Sequence, residues 1–257
     1  MSTFDCGWLW SLWRHFPNRI RFFFYRSMVH MFGQRLGWSS VFQLPFGLYV
    51  KLSRTPNEAS AMEYVRTRTT IPVPAILDCP FHRWLIVMQA SPGKPLQGPE
   101  GSRLAVASNE QLQNVRDGLT DWVNQLRTLS PPDPRRVSGF LGGGIYSFRI
   151  DEAFRPVGPF PTPAEFHSQR SDLKEYKIIF THGDILPHNI LADEDFHLTG
   201  LVDWECAGWM PDYWEKAMSL RAAWIRVVPW SEIVKDSFPV YHDDMILEQR
   251  IQICCTP

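Results

Sequence analysis

The run Thr181-His182-Gly183-Asp184-Ile185-Leu186-Pro187-His188-Asn189-Ile190-Leu191 is followed ten residues on by Leu201-Val202-Asp203-Trp204-Glu205. The apolar stretch Lys177 to Thr181 predicts a short strand, so Asp184 falls on the loop that leaves it. Ile190 to Ala192 and Leu198 to Val202 predict two more strands, joined by a turn at Asp193-Glu194-Asp195. Asn189 opens the first strand of that hairpin, five residues after Asp184, and Asp203 ends the second, fourteen residues later. A hairpin returns the chain to its starting point. Asp184, Asn189 and Asp203 are therefore expected to converge. Two carboxylates and an amide oxygen form a hard oxygen site suited to magnesium with bound phosphates. A carboxylate left free of the metal can orient and deprotonate a hydroxyl.

Upstream, Ser39 to Leu44 and Leu48 to Leu52 predict a hairpin turning at Pro45-Phe46-Gly47. Thr55, Pro56 and Glu58 suit a helix start with a capping box, and a helix over about 56–68 should follow. Glu58, Met62 and Val65 share the apolar face of that helix, whereas Glu63 lies about 140° from Glu58 at 100° per residue. Glu58 thus has two readings, a cap for Thr55 or a carboxylate facing inward with the core residues, and the wheel favours the second. Trp84 to Gln89 is a dense apolar strand. Residues 91–101 are rich in Pro and Gly and mark the best lobe boundary. Leu112, Val115, Leu119, Trp122, Val123, Leu126 and Leu129 give a helical period over 108–129. Residues 130–165 read as a long Pro- and Gly-rich surface loop. The chain from Asp212 on reads mostly as helix, broken at Pro229 and Pro239. A β-rich first third, a hinge and a helix-rich remainder make a two-lobed α+β arrangement.

His-Gly-Asp-x-x-x-x-Asn followed by an apolar-Asp-x-Glu strand end resembles the aminoglycoside phosphotransferase and choline kinase-like family. That family is a branch of the protein-kinase-like fold with His-Gly-Asp in place of His-Arg-Asp. Asn57-Glu58-Ala59, Met62 to Val65, Thr70-Ile71-Pro72-Val73-Pro74, Ala207-Gly208-Trp209, Pro211 and Tyr213-Trp214-Glu215 look like its fungal members. The resemblance covers about residues 40–230. It implies a small β-rich N-lobe at 31–90, a larger helical C-lobe at 91–257, and an aromatic, basic helical extension at 1–30.

It also implies roles. Asp184 matches the catalytic base, and Asn189 and Asp203 match the metal ligands. Glu205 falls on the same side of an extended chain as Asp203 and is expected to support the metal through water. His182 matches a structural residue of the loop. Lys51 matches the strand lysine that contacts the α- and β-phosphates, with Glu58 as its partner. The nucleotide is expected between the lobes, against Met88 and the hinge Gln89-Ala90. The phosphate loop departs from the Gly-x-Gly-x-x-Gly pattern. Between Gly33 and Val41 only Gly33 and Gly37 are glycines, so Ser39 and Ser40 are expected to supply donors to phosphate. The implied activity is transfer of the γ-phosphate of ATP, with Mg2+, to a hydroxyl of a small molecule. The alternative is a non-catalytic kinase-like nucleotide-binding protein. For the acceptor, an amino sugar would favour acids such as Asp151, Glu152, Glu165, Asp212, Asp243 and Asp244. A quaternary ammonium would favour an aromatic box from Trp209, Tyr213, Trp214, Trp224 and Trp230.

Composition sets the outer bounds. The 257 residues carry 26 basic and 27 acidic side chains, a formal charge of −1, which gives no general attraction to nucleic acid. Five scattered cysteines (Cys6, Cys79, Cys206, Cys254, Cys255) show no metal-ligand spacing and suit a reducing, cytoplasmic compartment. Cys254-Cys255 leaves palmitoylation open, while Pro257 at the end argues against prenylation. No apolar run reaches the ~18 residues of a membrane span. The N-terminal stretch holds Trp8, Trp10, Trp13, Phe16 and Phe22-Phe23-Phe24-Tyr25, interrupted by Arg14, Arg19, Arg21 and Arg26. No small-residue cleavage site follows a clean apolar core, so a secretory leader is not expected. The stretch is either a helix packed on the body or an interfacial, partner-binding one.

Overall fold

Lys51 lies in the middle strand of the N-lobe sheet, and the rest of that lobe is organised around it. In the computed structural model, which describes residues 7–36, 40–80, 84–166, 176–220 and 229–240, two N-terminal helices come first, α1 (Gly7–Trp13) and α2 (Asn18–Phe32). The sheet is built from β1 (Gln34–Arg35), β2 (Val41–Leu44), β3 (Leu48–Leu52), β4 (Ile76–Asp78) and β5 (Leu85–Gln89), in the order β1-β2-β3-β5-β4. The expected hairpin forms, with Val41 opposite Lys51 and Leu44 opposite Leu48. Phe46 takes the left-handed conformation inside its turn (φ 65°).

β3 and β5 alternate sides along their length, and both faces are covered. Ile86 and Met88 pack with Ala59, Met62 and Val65 of α3 (Asn57–Arg68). Val50, Leu85 and Val87 point the other way and pack with Tyr25 of α2 and with Trp10 and Trp13. The two helices therefore form the second cover of the sheet. A buried ion pair between Arg21 and Asp78 holds α2 in place. Tyr25 Oη–H donates to Asp78 Oδ2 at 2.8 Å, and Trp13 Nε1–H donates to Tyr25 Oη at 2.6 Å.

Three short strands follow the hinge, β6 (Lys94–Pro95), β7 (Gln97–Gly98) and β8 (Gly101–Ser102). Then α4 (Asn109–Thr128) runs through the C-lobe core, started by a capping box between Ser108 and Gln111. Its period buries Val115, Leu119, Trp122, Val123 and Leu126 as expected. Next come β9 (Ser138–Gly139), α5 (Pro163–Phe166), β10 (Ile178–Thr181), β11 (Ile190–Ala192), β12 (Leu198–Leu201), β13 (Gly208–Pro211), α6 (Trp214–Ser219) and α7 (Trp230–Ser237). The 130–165 stretch is more than a surface loop. Val137, Ile145 and Phe154 are buried, and backbone pairs join Val137 to Phe160 and Ile145 to Val157. β11 and β12 form the expected hairpin, with Ile190 opposite Leu201. Asp193 Oδ1 closes its turn by accepting from the backbone N–H groups of Asp195 and His197. Among the described residues, no helix is long and apolar enough to cross a membrane.

Candidate active site

The loop after β10 is fixed from below. Gly183 has φ +80°, and a Cβ there would lie 2.6 Å from the carbonyl oxygen of Cys206, so only glycine fits. Asp184 N–H donates to His182 Nδ1 at 3.2 Å, and His182 Nε2 lies 3.1 Å from the Val202 carbonyl. Nδ1 accepts here, so the proton belongs on Nε2 and the ring is neutral. Burial pushes its pKa down to about 4, which keeps it neutral at physiological pH. His182 thus ties the loop to the strand end that carries Asp203 and exposes no group for proton transfer.

Asn189 makes the second tie. Its Nδ2 donates to the carbonyl oxygen and to Oδ2 of Asp184, both at 3.0 Å, which leaves Oδ1 for a ligand. The N–H of Val202 donates to the carbonyl of Asn189 at 3.0 Å and brings the end of the hairpin alongside. Asp203 then takes a left-handed backbone (φ 69°, ψ 63°), which costs energy for a non-glycine residue and turns its side chain out of the strand. Asp184, Asn189 and Asp203 are brought together as their spacing requires.

Lys51 closes the site from the other lobe. Its Nζ lies 2.7 Å from Glu58 Oε1, 2.6 Å from Asp203 Oδ1 and 4.0 Å from Glu205 Oε2. Burial alone would lower the lysine pKa. The Glu58, Asp203 and Glu205 carboxylates outweigh it and hold Lys51 above its ordinary value, while Lys51 helps hold Asp203 below its own. The capping box expected at Thr55 does not form. Glu58 Oε1 is taken by Lys51, and Oε2 accepts from Ser53 Oγ–H at 2.7 Å. Thr55 Oγ1–H donates across to the carbonyl of Glu205 at 3.2 Å. Because both Glu58 oxygens are committed, the lysine is its partner and it is a poor metal ligand.

Asp203 and Glu205 are different. The side chain of Asp203 is 37% exposed, and Glu205 Oε2 is buried without a hydrogen bond. Burial and the facing Asp203 push the Glu205 pKa up to about 8. Three carboxylates meet one ammonium, and an orphaned carboxylate oxygen sits among them. Carboxylate oxygens of Glu58, Asp203 and Glu205 lie within 4.8 Å of one another, and those of Asp203 and Glu205, which unlike those of Glu58 are not all committed to hydrogen bonds, suit a hard divalent cation.

Of the expected nucleotide contacts, Met88 lies in β5 and Gln89 ends it. Ala90 N–H donates to the Gly47 carbonyl at 2.8 Å, which ties the hinge to the β2–β3 turn. Ser40 accepts from the N–H of Leu52 through its carbonyl at 3.0 Å. Ser39 and Gly37 lie outside the described residues.

A family model described as the phosphotransferase enzyme family matches residues 41–237. The chain belongs to that family. Among solved structures, a GDP complex of an aminoglycoside 2'-phosphotransferase variant is similar over 90% of this chain and 86% of its own, at 13% identity and a TM-score of 0.59. A GDP and kanamycin complex of APH(2")-IIia covers 90% and 87%, at 13% identity and a TM-score of 0.60. A streptomycin–ATP complex of APH(2")-IIa covers 86% and 82%, at 12% identity and a TM-score of 0.57. These likenesses establish the protein-kinase-like α+β fold. No curated protein matches the chain by sequence.

One supporting residue of this phosphotransferase family member was legible only as a family letter. Glu215 of α6 is 5% exposed. Its Oε2 accepts from the N–H of His182 at 2.5 Å, and both its oxygens lie 3.1 Å from the N–H of Gly183. It anchors the loop at His182 and Gly183 from beneath, at a distance in sequence that no local pattern reports. Burial pushes its pKa up to about 7. A carboxyl whose folded pKa is raised stabilises the fold below the unfolded value and loses that contribution as pH rises through about 7. Glu215→Gln cannot titrate. Its stability deficit relative to wild type is expected to be larger at pH 5 than at pH 8, by at most about 3 kcal/mol. Urea midpoints at the two pH values measure this, and a deficit that grows with pH would contradict the assignment.

Several residues named for the acceptor are used elsewhere in the fold. Trp204, Trp209, Tyr213, Trp214 and Trp230 are all core residues, so no aromatic box forms among them. Trp224, Asp243 and Asp244 lie outside the described residues. Asp151 is paired with Arg155 at 2.8 Å, Asp212 lies 3.8 Å from Arg127, and Glu165 caps onto Thr162.

Proposed function

We propose that the chain transfers the γ-phosphate of ATP, with Mg2+, to a hydroxyl of a small molecule. The observation that carries this reading is Lys51, bonded at once to Glu58 behind it and to Asp203 across the cleft. A lone strand lysine is solvated. One placed against the acid beside a catalytic loop is positioned for phosphate. Lys51 Nζ would exchange Asp203 for the α- and β-phosphates on nucleotide binding. The base would lie against Met88, Gln89 and Ala90, with Ser39 and Ser40 on the phosphates. Asn189, Asp203 and Glu205 would hold the magnesium, which neutralises phosphate charge. Asp184, free of the metal and steadied by Asn189, orients the acceptor hydroxyl. As the new O–P bond forms and the bond to the β-phosphate oxygen breaks, Asp184 takes the hydroxyl proton. His182 and Glu215 hold that loop in place.

The test is transfer of radiolabel from γ-labelled ATP, with GTP in parallel, to a panel of amino sugars, amino alcohols, amino acids and other hydroxyl metabolites. Labelled product from at least one acceptor is the expected result. Magnesium-dependent stabilisation by ATP with no transfer to any acceptor would favour the non-catalytic nucleotide-binding alternative.

A further inference from the structure

The helices α1 and α2 cover the N-lobe sheet with one face and leave a second apolar face outside. The inner face of α2 carries Arg21 and Tyr25, both buried. The outer face carries Ile20, Phe23, Phe24 and Met31, at three-, four- and seven-residue steps, and is extended by Leu12 and Phe16. These six side chains are 47–61% exposed. A helix packed on a domain ordinarily turns polar residues outward. This one turns phenylalanines outward.

The charge around this face is one-sided. Residues 7–36 contain Arg14, Arg19, Arg21, Arg26 and Arg35 and no acid at all. Their charge is +5, so the rest of the chain, with 21 basic and 27 acidic residues, carries −6. Arg21 is spent on Asp78, but Arg19 and Arg26 are exposed along the edge of the apolar stripe. The facing surfaces of two copies would both be basic, so charge disfavours a dimer through this face.

We propose that this face is an interfacial membrane anchor for anionic lipid. Ile20, Phe23 and Met31 enter the boundary between headgroups and acyl chains, and Arg19 and Arg26 pair with the headgroup charges. The N-lobe sheet then rides on the bilayer through its helical cover. The proposal is independent of the catalytic reading.

Flotation of the full chain with vesicles tests it, using phosphatidylcholine alone or with phosphatidylserine added at about a third. The full chain is expected to float with the anionic vesicles, to stay behind with phosphatidylcholine alone, and to be released by salt. Ile20→Ser/Phe23→Ser/Met31→Ser should bind at least about tenfold more weakly. Arg19→Glu/Arg26→Glu should lose more than about thirtyfold, the loss expected for neutralising the two charges alone. Both should keep the wild-type melting midpoint, because all five side chains are exposed. No binding to anionic vesicles, or undiminished wild-type binding by both variants, would overturn the proposal. So would a solution dimer, seen by light scattering, that the serine variant breaks.

Discussion

Asp184→Asn is expected to lower the rate of phosphate transfer by 10²–10⁴-fold, the range usual for removal of a general base. The substitution is nearly isosteric. Asn189 Nδ2 can still donate to the side-chain and backbone oxygens it meets at 3.0 Å. The backbone N–H of residue 184 still reaches His182 Nδ1. The loop therefore keeps its shape, and the loss falls on the proton transfer alone. Nucleotide affinity should change by no more than about threefold, since Asp184 is not assigned to the metal or the phosphates. Single-turnover rates with equilibrium binding on the same preparation separate the two quantities. Near-wild-type turnover would sink the assignment of Asp184 as base. An equal loss of nucleotide binding would instead make it a metal ligand.

Lys51→Met should be the most destabilising single change at the site. It removes the ammonium from between Glu58 and Asp203 and leaves Glu58, which is 1% exposed, with Ser53 Oγ–H as its remaining polar contact. Stranding a buried charge in this way costs about 3–5 kcal/mol, or roughly 10 °C in melting midpoint for a chain of this size. The sign of the pH dependence follows from the shifts. In the wild type, Lys51 has a folded pKa above its ordinary value, so its contribution is fully present at neutral pH. In the variant the acids can recover only by taking up protons. Its deficit should therefore shrink below about pH 5 and widen at higher pH. Adding Glu58→Gln should restore part of the loss. A melting midpoint within a degree or two of wild type would show that the lysine is not the keystone of the cluster.

The parts of the site that sequence reading found are those set by local rules. The strand, loop and hairpin around Asp184, Asn189 and Asp203 follow from short apolar runs and one turn. A hairpin needs only its own residues to bring its ends together. Glu58 was separated from Glu63 by helical period, and the structure shows why the wheel outweighed the capping box: Lys51 offers a buried carboxylate more than an N-terminal cap does. The long-range contacts were not legible. Glu215 reaches the catalytic loop from a helix more than thirty residues on. The covering of the sheet by α1 and α2 rests on contacts of Arg21 and Tyr25 with Asp78, more than fifty residues away. The tryptophans after Asp203 left both an aromatic box and core packing open, because composition cannot tell which side of a helix faces the core. The structure buries Trp204, Trp209, Trp214 and Trp230 in the core.

The central claim is that Lys51, Asp203 and Glu205 form a site for a nucleotide carrying a divalent cation. Calorimetric titration of the full chain with ATP, with and without magnesium, beside Asp203→Asn, tests it most directly. The expected result is binding that requires magnesium in the wild type and is weakened at least about tenfold in the variant. Binding of equal strength with and without magnesium, unchanged in Asp203→Asn, would contradict the account.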